Sequence, residues 1–128
     1  RELLQTDQGR INIKILSFIK ITKKEITKNG VLHCDEGPAV VWSDGTQEWY
    51  INGRHHRVDG PAIIHSNGDK SWYFNGEIHR EDGPAIDWES RKEWYLFGVK
   101  YDSIHHYLEH HPNPEMLLFE LEKYVDNG

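Results

Sequence analysis

The sequence predicts a mainly β fold, a single-layer antiparallel sheet of tandem 23-residue β-hairpin repeats with a short C-terminal helical cap. Three features predict it. A motif of glycine, histidine and proline recurs at constant spacing, a turn dipeptide divides each of the first two copies into two short strands, and the pattern becomes helical after Tyr101. In repeat proteins each unit buries its apolar surface against its neighbours, so the copies are expected to fold together.

The predicted repeats occupy residues 30–101 in three copies. Each copy begins with Gly-x-x-His-x-x-x-Gly-Pro-Ala, and its first glycines, Gly30, Gly53 and Gly76, are 23 residues apart. The second half of each copy contains a Trp-Tyr dipeptide, which one deleted residue displaces in the third copy. These dipeptides are Trp49-Tyr50, Trp72-Tyr73 and Trp94-Tyr95.

The turn dipeptides predict the register of each hairpin. Asp44-Gly45 and Asn67-Gly68 are predicted as two-residue type I′ turns, because both central positions of that turn need positive φ. Together with a three-residue loop at 89–91, they predict three cross-strand pairs: Val40–Trp49, Ile63–Trp72 and Ile86–Trp94.

Side chains alternate between the two faces of a strand, so this register predicts two aromatic faces. The first would contain Trp42, Trp49, Trp72, Trp88 and Trp94 with Val40, Ile63 and Ile86. The second would contain Tyr50, Tyr73 and Tyr95 beside Ala39, Ala62 and Ala85. Stacking of the copies would bury a continuous aromatic ladder, because one hairpin alone is marginally stable.

The loop between hairpins repeats a set of polar residues. Its histidines are followed after three residues by an acid, in the pairs His33–Glu36, His56–Asp59 and His79–Asp82. Recurrence in every copy favours a structural clasp, with imidazole bonded to a carboxylate or carbonyl, over a row of functional titratable groups. The glycines before the prolines are predicted to adopt a conformation closed to other residues.

These motifs resemble the membrane occupation and recognition nexus (MORN) repeat, a 23-residue hairpin unit. They resemble more closely a variant with the unit WYxNGxxHRxDGPA, common in phage and giant-virus proteins; residues 49–62 have the sequence WYINGRHHRVDGPA. The resemblance covers residues 25 to 100 and implies an elongated sheet that serves as a scaffold or partner-binding surface. Gly60 follows His56 by four residues where the standard repeat has three, so we do not transfer lipid binding from that family.

Both ends of the chain are predicted as caps. Residues 1–29 are predicted as a capping hairpin. Apolar and polar residues alternate over part of 10–22, as in a half-buried strand, and residues 25–30 align with 48–53 as a degenerate half-repeat.

Residues 102–128 are predicted as a helical cap that covers the last repeat or one sheet face, or alternatively mediates dimerisation. Asp102 or Ser103 would cap a first helix to about His110, and Asn113-Pro114 would begin a second. The apolar surface of that second helix would contain Met116, Leu117, Phe119, Leu121, Tyr124 and Val125.

The amino-acid composition limits the classes of partner and the cellular location to be expected. The net charge of −6, from 15 Lys and Arg against 21 Asp and Glu, disfavours nucleic acid and anionic lipid. We interpret the lysines at 14, 20, 23, 24 and 28 as a solvated strand edge. Cys34 is the single cysteine, and no run of about 18 apolar residues predicts a membrane span. We therefore expect a cytoplasmic protein, in the host cytoplasm if the chain is viral.

The sequence predicts no metal, no cofactor and no catalysis. His106 and His110 lie at i and i+4 on the first helix, with Glu109 or Asp102 as an additional ligand, but no second dyad has metal spacing. Cys34 and His33 are neighbours on a strand and would point apart. No glycine-rich phosphate loop precedes a helix.

The remaining hypothesis is that the aromatic surface binds a partner, because Trp, Tyr and Arg are enriched at interfaces. The predicted binding residues are Trp42, Trp49, Trp72, Trp88, Trp94, Tyr73, Arg57 and Arg80. We expect a host protein as the partner, with inhibition of a defence-related protein as the outcome. The alternatives are a small-ligand or nucleotide-binding protein that uses the Trp face, and a structural repeat that self-associates through its helices or sheet ends.

Overall fold

The computed structural model describes residues 22–117, 121 and 124, which form short antiparallel strands and a C-terminal helical segment. The strands are β1 (Lys23–Glu25), β2 (Thr27–Lys28), β3 (Val31–Leu32), β4 (Val40–Trp42), β5 (Gln47–Glu48), β6 (Tyr50–Ile51), β7 (Arg54–His55), β8 (Ile63–Ile64), β9 (Lys70–Ser71), β10 (Tyr73–Phe74), β11 (Glu77–Ile78), β12 (Ile86–Asp87), β13 (Lys92–Leu96) and β14 (Val99–Tyr101). Helix α1 is Ile104–Glu109, and a 3-10 helix follows at Pro114–Leu117. The predicted mainly β class is confirmed.

Eight of these strands form one antiparallel sheet in the order β1-β4-β5-β8-β9-β12-β13-β14. The other strands form three hairpins, β2-β3, β6-β7 and β10-β11. Neighbouring hairpins bond to one another, since the Gly53 N–H donates to the Leu32 carbonyl and the Gly76 N–H to the His55 carbonyl, both at 2.8 Å. The chain therefore alternates between the large sheet and a second row of hairpins.

The predicted register of the large sheet is wrong by one residue in all three copies. The observed pairs are Val40–Glu48, Ile63–Ser71 and Ile86–Glu93, in place of pairs with Trp49, Trp72 and Trp94. The Trp42 N–H donates to the Thr46 carbonyl at 2.8 Å, so residues 43–45 form a three-residue loop with Gly45 at a φ of 97°. In the third copy the deleted residue shortens this loop to residues 89 and 90, so the strand residues that pair are equivalent in all three copies.

Two-residue turns with positive φ at both central residues connect the strands of four other hairpins, β2-β3, β6-β7, β10-β11 and β13-β14. The turn residues are Asn29-Gly30, Asn52-Gly53, Asn75-Gly76 and Phe97-Gly98. Asparagine tolerates this left-handed conformation, whereas phenylalanine is rarely found there. Phe97 has a φ of 47°, and the centroid of its ring lies 3.9 Å from that of His79.

Tryptophans and alanines alternate in one row across the large sheet. The Trp49 N–H donates to the Ala62 carbonyl at 2.7 Å, and the Trp72 N–H to the Ala85 carbonyl at 2.8 Å. Because opposite residues share a face, the row is Ala39, Trp49, Ala62, Trp72, Ala85 and Trp94. The three indoles share a face, as predicted. The alanines lie beside Trp rather than Tyr, and Val40, Ile63 and Ile86 lie on the opposite face, because a one-residue slip exchanges the faces.

The histidine loops connect each copy to the next. The Nδ1 atoms of His33, His56 and His79 accept from the backbone N–H groups of Asn52, Asn75 and Phe97 at 3.0, 2.9 and 2.8 Å. On the other side, Nε2 of His33 faces Asp35 and that of His79 faces Glu81. The predicted bond from imidazole to a carboxylate is found at His33 and His79, where the acid follows the histidine by two residues, not three. At His56 the equivalent position is Val58.

The C-terminal cap covers the Trp face at the end of the sheet. Ser103 caps α1, as predicted, by accepting the His106 N–H at 3.0 Å. The core beneath the cap contains Trp94, Leu96, Tyr107, Leu117 and Leu121. Of the predicted second helix, the side chains of Met116, Phe119 and Val125 lie outside the described residues, as do residues 1–21 of the predicted N-terminal hairpin.

Among residues 22–117, 121 and 124, no helix is long and apolar enough to cross a membrane.

Candidate functional site

Arginine side chains lie flat on two tryptophans of the row. The Arg57 guanidinium is 3.9 Å from the Trp49 ring, and that of Arg80 is 3.7 Å from the Trp72 ring. Arg80 Nε donates to Asp82 at 2.8 Å and its Nη1 to the Pro84 carbonyl at 3.0 Å. Arg57 makes the equivalent bonds to Asp59 and the Pro61 carbonyl. Each stack is therefore held at both its planar face and its edge.

The glycines of the Gly-Pro-Ala motif provide room for these guanidinium groups. A Cβ at Gly83 would lie 2.6 Å from Arg80 Cζ, and one at Gly60 would lie 3.0 Å from Arg57 Cζ. Neither glycine has a positive φ, so the predicted reason for them, a backbone conformation closed to other residues, is wrong. At Gly37 a Cβ would meet nothing within 4 Å, since Cys34 replaces the arginine there.

The third tryptophan of the row is covered by the cap instead of an arginine. The Trp94 ring lies 4.9 Å from that of Tyr107 and 5.2 Å from that of Tyr124, and the residue is 9% exposed. The cap is anchored to the preceding loop, where the Tyr107 hydroxyl donates to the Arg80 carbonyl at 2.6 Å. His111 Nε2 bonds to the Glu81 carbonyl at 2.7 Å.

Among the described residues, an open groove of ≈ 880 Å³ lies at Trp72, beside the cap. One wall is the loop from Arg57 to Pro61, and the other combines residues 79–82 with His111, Leu117 and Tyr124 of the cap. The floor contains Trp72, Lys70 and Asp87. Val58 stands at the rim and is 81% exposed.

The charges along the groove are mixed. Arg57, Lys70 and Arg80 are cationic, and four carboxylates line the same space: Asp59, Glu81, Asp82 and Asp87. Several of these groups already pair, including Arg80 with Asp87 at 3.7 Å. The arrangement suits a polar rim around an aromatic floor, which is the composition of a protein interface.

The opposite face of the sheet contains a polar network centred on Glu48. Its carboxylate accepts from Trp42 Nε1 at 2.6 Å and from the Tyr50 hydroxyl at 3.1 Å, and it pairs with His55 Nε2 at 2.8 Å. The bond from His55, with those from Trp42 and Tyr50, lowers the pKa of Glu48 to about 2 despite partial burial. Burial, with the negative charge of Glu48, raises the pKa of Tyr50 to about 12. These groups satisfy one another, which favours a structural role.

The eight residues predicted as a binding surface are thus divided. Trp72, Tyr73, Arg57 and Arg80 line the groove together. Trp42 and Trp88 lie on the other face, where Trp88 Nε1 donates to Ser71 Oγ at 3.1 Å. Trp49 lies under Arg57, outside the groove lining, and Trp94 lies in the core under the cap.

Sequence reasoning missed several groove residues, namely Val58, Asp87, His111 and Leu117. Asp87 follows the buried Ile86 on β12, so a correct register would have placed it on the Trp face. His111 and Leu117 reach the groove through the docking of the cap, for which the sequence contains no local signal.

The comparisons found no family model, no curated protein and no solved structure that matches the chain.

Proposed function

We propose that this chain is a non-enzymatic, MORN-like repeat module that binds a protein partner in the groove beside Trp72. The supporting observation is that, among the described residues, the cap packs on Trp94, whereas Trp72 lines an open groove together with charged side chains. Buried Trp, Tyr and Arg anchors dominate the energetics of protein interfaces. Because the Arg80 stack and its hydrogen bonds hold the floor in place, little ordering would be needed on binding.

The single-layer architecture of tandem 23-residue repeats is part of this proposal. It is supported by equivalent contacts 23 residues apart, such as Arg57 on Trp49 and Arg80 on Trp72. It is also supported by the histidine clasps from His33 to Asn52 and from His56 to Asn75. Such repeats commonly present an extended binding surface.

The nature of the partner rests on the resemblance to repeats of phage and giant-virus proteins. That resemblance supports a host protein as the partner, inhibition of a defence-related factor as the outcome, and the host cytoplasm as the place of action. The net charge of −6 disfavours nucleic acid and anionic membranes as alternatives.

The test uses the groove rim, where a substitution leaves the arginine stacks intact. We expect Val58→Lys to abolish capture of the partner from host lysate, because binding would then have to desolvate an ammonium group where the proposal places an apolar contact. Val99→Lys is the matched control, since Val99 is also an exposed valine, 53% accessible, and lies outside the groove lining. Equal capture by both variants, or no stoichiometric partner for the unmodified chain, would contradict the proposal.

A second candidate is a small-ligand or nucleotide-binding protein that uses the same groove. The volume of ≈ 880 Å³ lies in the range of about 300–1,000 Å³ that is typical of ligand pockets. Against nucleotide stacking, the Arg80 guanidinium already occupies one face of the Trp72 ring. Thermal-shift screening against nucleotides separates the two candidates, because a ligand of the folded state raises Tm.

Self-association through the C-terminal helices or the sheet ends stays a prediction. A molar mass above that of one 15.1 kDa chain in light scattering would favour it.

A further inference from the structure

Three metal-ligating side chains meet on the exposed side of the C-terminal cap, away from the groove. They are His106, Glu109 and His110, and their ligand atoms all lie within 4.8 Å of one another. His106 and His110 are separated by one helical turn, and Glu109 is adjacent to His110 at the end of α1. All three residues are exposed to solvent.

Both imidazole rings are already oriented for metal binding by hydrogen bonds at the other nitrogen. His110 Nδ1 lies 3.0 Å from the His106 carbonyl oxygen, which can only accept. His106 Nδ1 lies 3.1 Å from Asp102 Oδ1, also an acceptor. Each Nδ1 therefore bears the hydrogen, and each Nε2 is left with its lone pair. A histidine that binds metal commonly donates its second nitrogen in this way to a carbonyl or carboxylate.

Neighbouring rings restrict the two imidazoles further. Tyr101 stacks on His110 with ring centroids 5.0 Å apart and meets His106 edge-on at 5.4 Å. The helix itself is fixed by the buried Tyr107 and by the Ser103 cap. The ligands are thus attached to an anchored element, which limits the entropy lost when a metal orders them.

We propose that His106, His110 and Glu109 form a binding site for a divalent transition metal. Two imidazoles and a carboxylate suit Zn²⁺, Ni²⁺ or Cu²⁺, whereas Mg²⁺ and Ca²⁺ require mainly oxygen ligands. The ligand atoms, which lie within 4.8 Å of one another, would each be about 2.0–2.2 Å from a bound ion. Three protein ligands leave the fourth tetrahedral position for water or for a group from another molecule.

The sequence predicted no metal here because the two imidazoles, with Glu109 or Asp102 as an additional ligand, lacked a second dyad. The structure distinguishes the two acids: Glu109 lies with the imidazoles, and Asp102 bonds to His106 Nδ1.

Isothermal titration of the full chain with Zn²⁺ tests the site. We expect saturable binding with one ion per chain, and no saturable binding of Mg²⁺. His106→Ala and His110→Ala should each weaken the affinity for Zn²⁺ by at least tenfold. Asp102→Asn, which alters only the orienting bond of a largely exposed carboxylate, should weaken it by about 10- to 100-fold.

His105→Ala is the matched control, since His105 is an exposed histidine of the same helix and is not part of the cluster. Its affinity for Zn²⁺ should equal that of the unmodified chain, and circular dichroism should show the same fold for all variants. Absence of saturable Zn²⁺ binding, or an equal loss in His105→Ala and His106→Ala, would overturn the proposal.

Discussion

Arg57 and Arg80 show why arginine occupies this position in the two complete motifs. The planar guanidinium lies on an indole while Nε and Nη1 donate to two different acceptors. A lysine ammonium lacks both the flat face and the fork of donors. The arginine at this position therefore stabilises the loop and the indole beneath it. Both arginines also line the groove.

Glu48 is the residue through which acid should weaken the fold. Its carboxylate has a folded-state pKa of about 2 against an ordinary value of 4.5. A carboxyl group with a lowered folded pKa stabilises the protein above its unfolded value, and this contribution is lost as the pH falls from 4.5 towards 2. We expect Glu48→Gln to lower the free energy of unfolding by about 1–3 kcal/mol at neutral pH.

The measurement is urea unfolding of both proteins across this pH range. The difference in free energy of unfolding between the unmodified chain and Glu48→Gln should shrink steadily below pH 4.5. A difference that does not change with pH would mean that the charge of Glu48 adds no stability.

Within the connecting loops, the Gly-Pro-Ala glycines differ in what an added methyl group would contact. Gly83→Ala places a Cβ against the pinned Arg80 guanidinium, and we expect it to lower the free energy of unfolding by about 1–2 kcal/mol. Gly37→Ala meets nothing within 4 Å, so its effect should stay within about 0.5 kcal/mol. Chemical denaturation measures the free energy of unfolding of both variants. Equal losses in free energy would refute the explanation by contact with Arg80.

At the level of hairpins, the sequence predicted which segments pair but not their register. Asp44-Gly45 fits a two-residue type I′ turn as well as a three-residue loop with a left-handed glycine. The local sequence does not separate the two, and the choice depends on which face is buried. The alanines of the row are at most 1% exposed, and in the first copy the three-residue loop places Ala39 opposite Trp49.

The same ambiguity explains why only part of the candidate site was predicted. The predicted residues that do line the groove belong to motifs 23 residues apart, a spacing that is visible in the sequence. They are Trp72, Tyr73, Arg57 and Arg80. Trp88 was assigned to the wrong face through the register error.

Across the whole molecule, the cap is joined to the repeats by a few specific contacts. Tyr107 is fully buried, and its hydroxyl donates to the Arg80 carbonyl at 2.6 Å. Burial raises the pKa of this phenol, so it remains a donor. Tyr107→Phe leaves the carbonyl without this bond, and we expect the free energy of unfolding to fall by about 1–2 kcal/mol.

Hydrogen exchange of the α1 amides, together with urea unfolding, measures this effect. Tyr95→Phe is the control, because the Tyr95 hydroxyl makes a longer, 3.3 Å bond to Glu93 in a less buried place. If Tyr107→Phe changes neither the exchange of α1 nor the stability, the cap is held mainly by apolar contacts around Trp94.

The amino-acid pattern is sufficient to predict the mainly β class and a helix capped by Asp102 or Ser103. It also predicts a bond from the loop imidazole to a nearby carboxylate, which is found at His33 and His79. Each of these features depends on residues close in the chain. The register, the division of the tryptophans between two faces and the groove at Trp72 depend on long-range packing. Among the described residues, Tyr107 and Leu117 pack with Trp94 in the core, whereas the Trp72 indole lies under Arg80 and lines the groove. That outcome depends on the burial of apolar area between distant segments, which no local motif encodes.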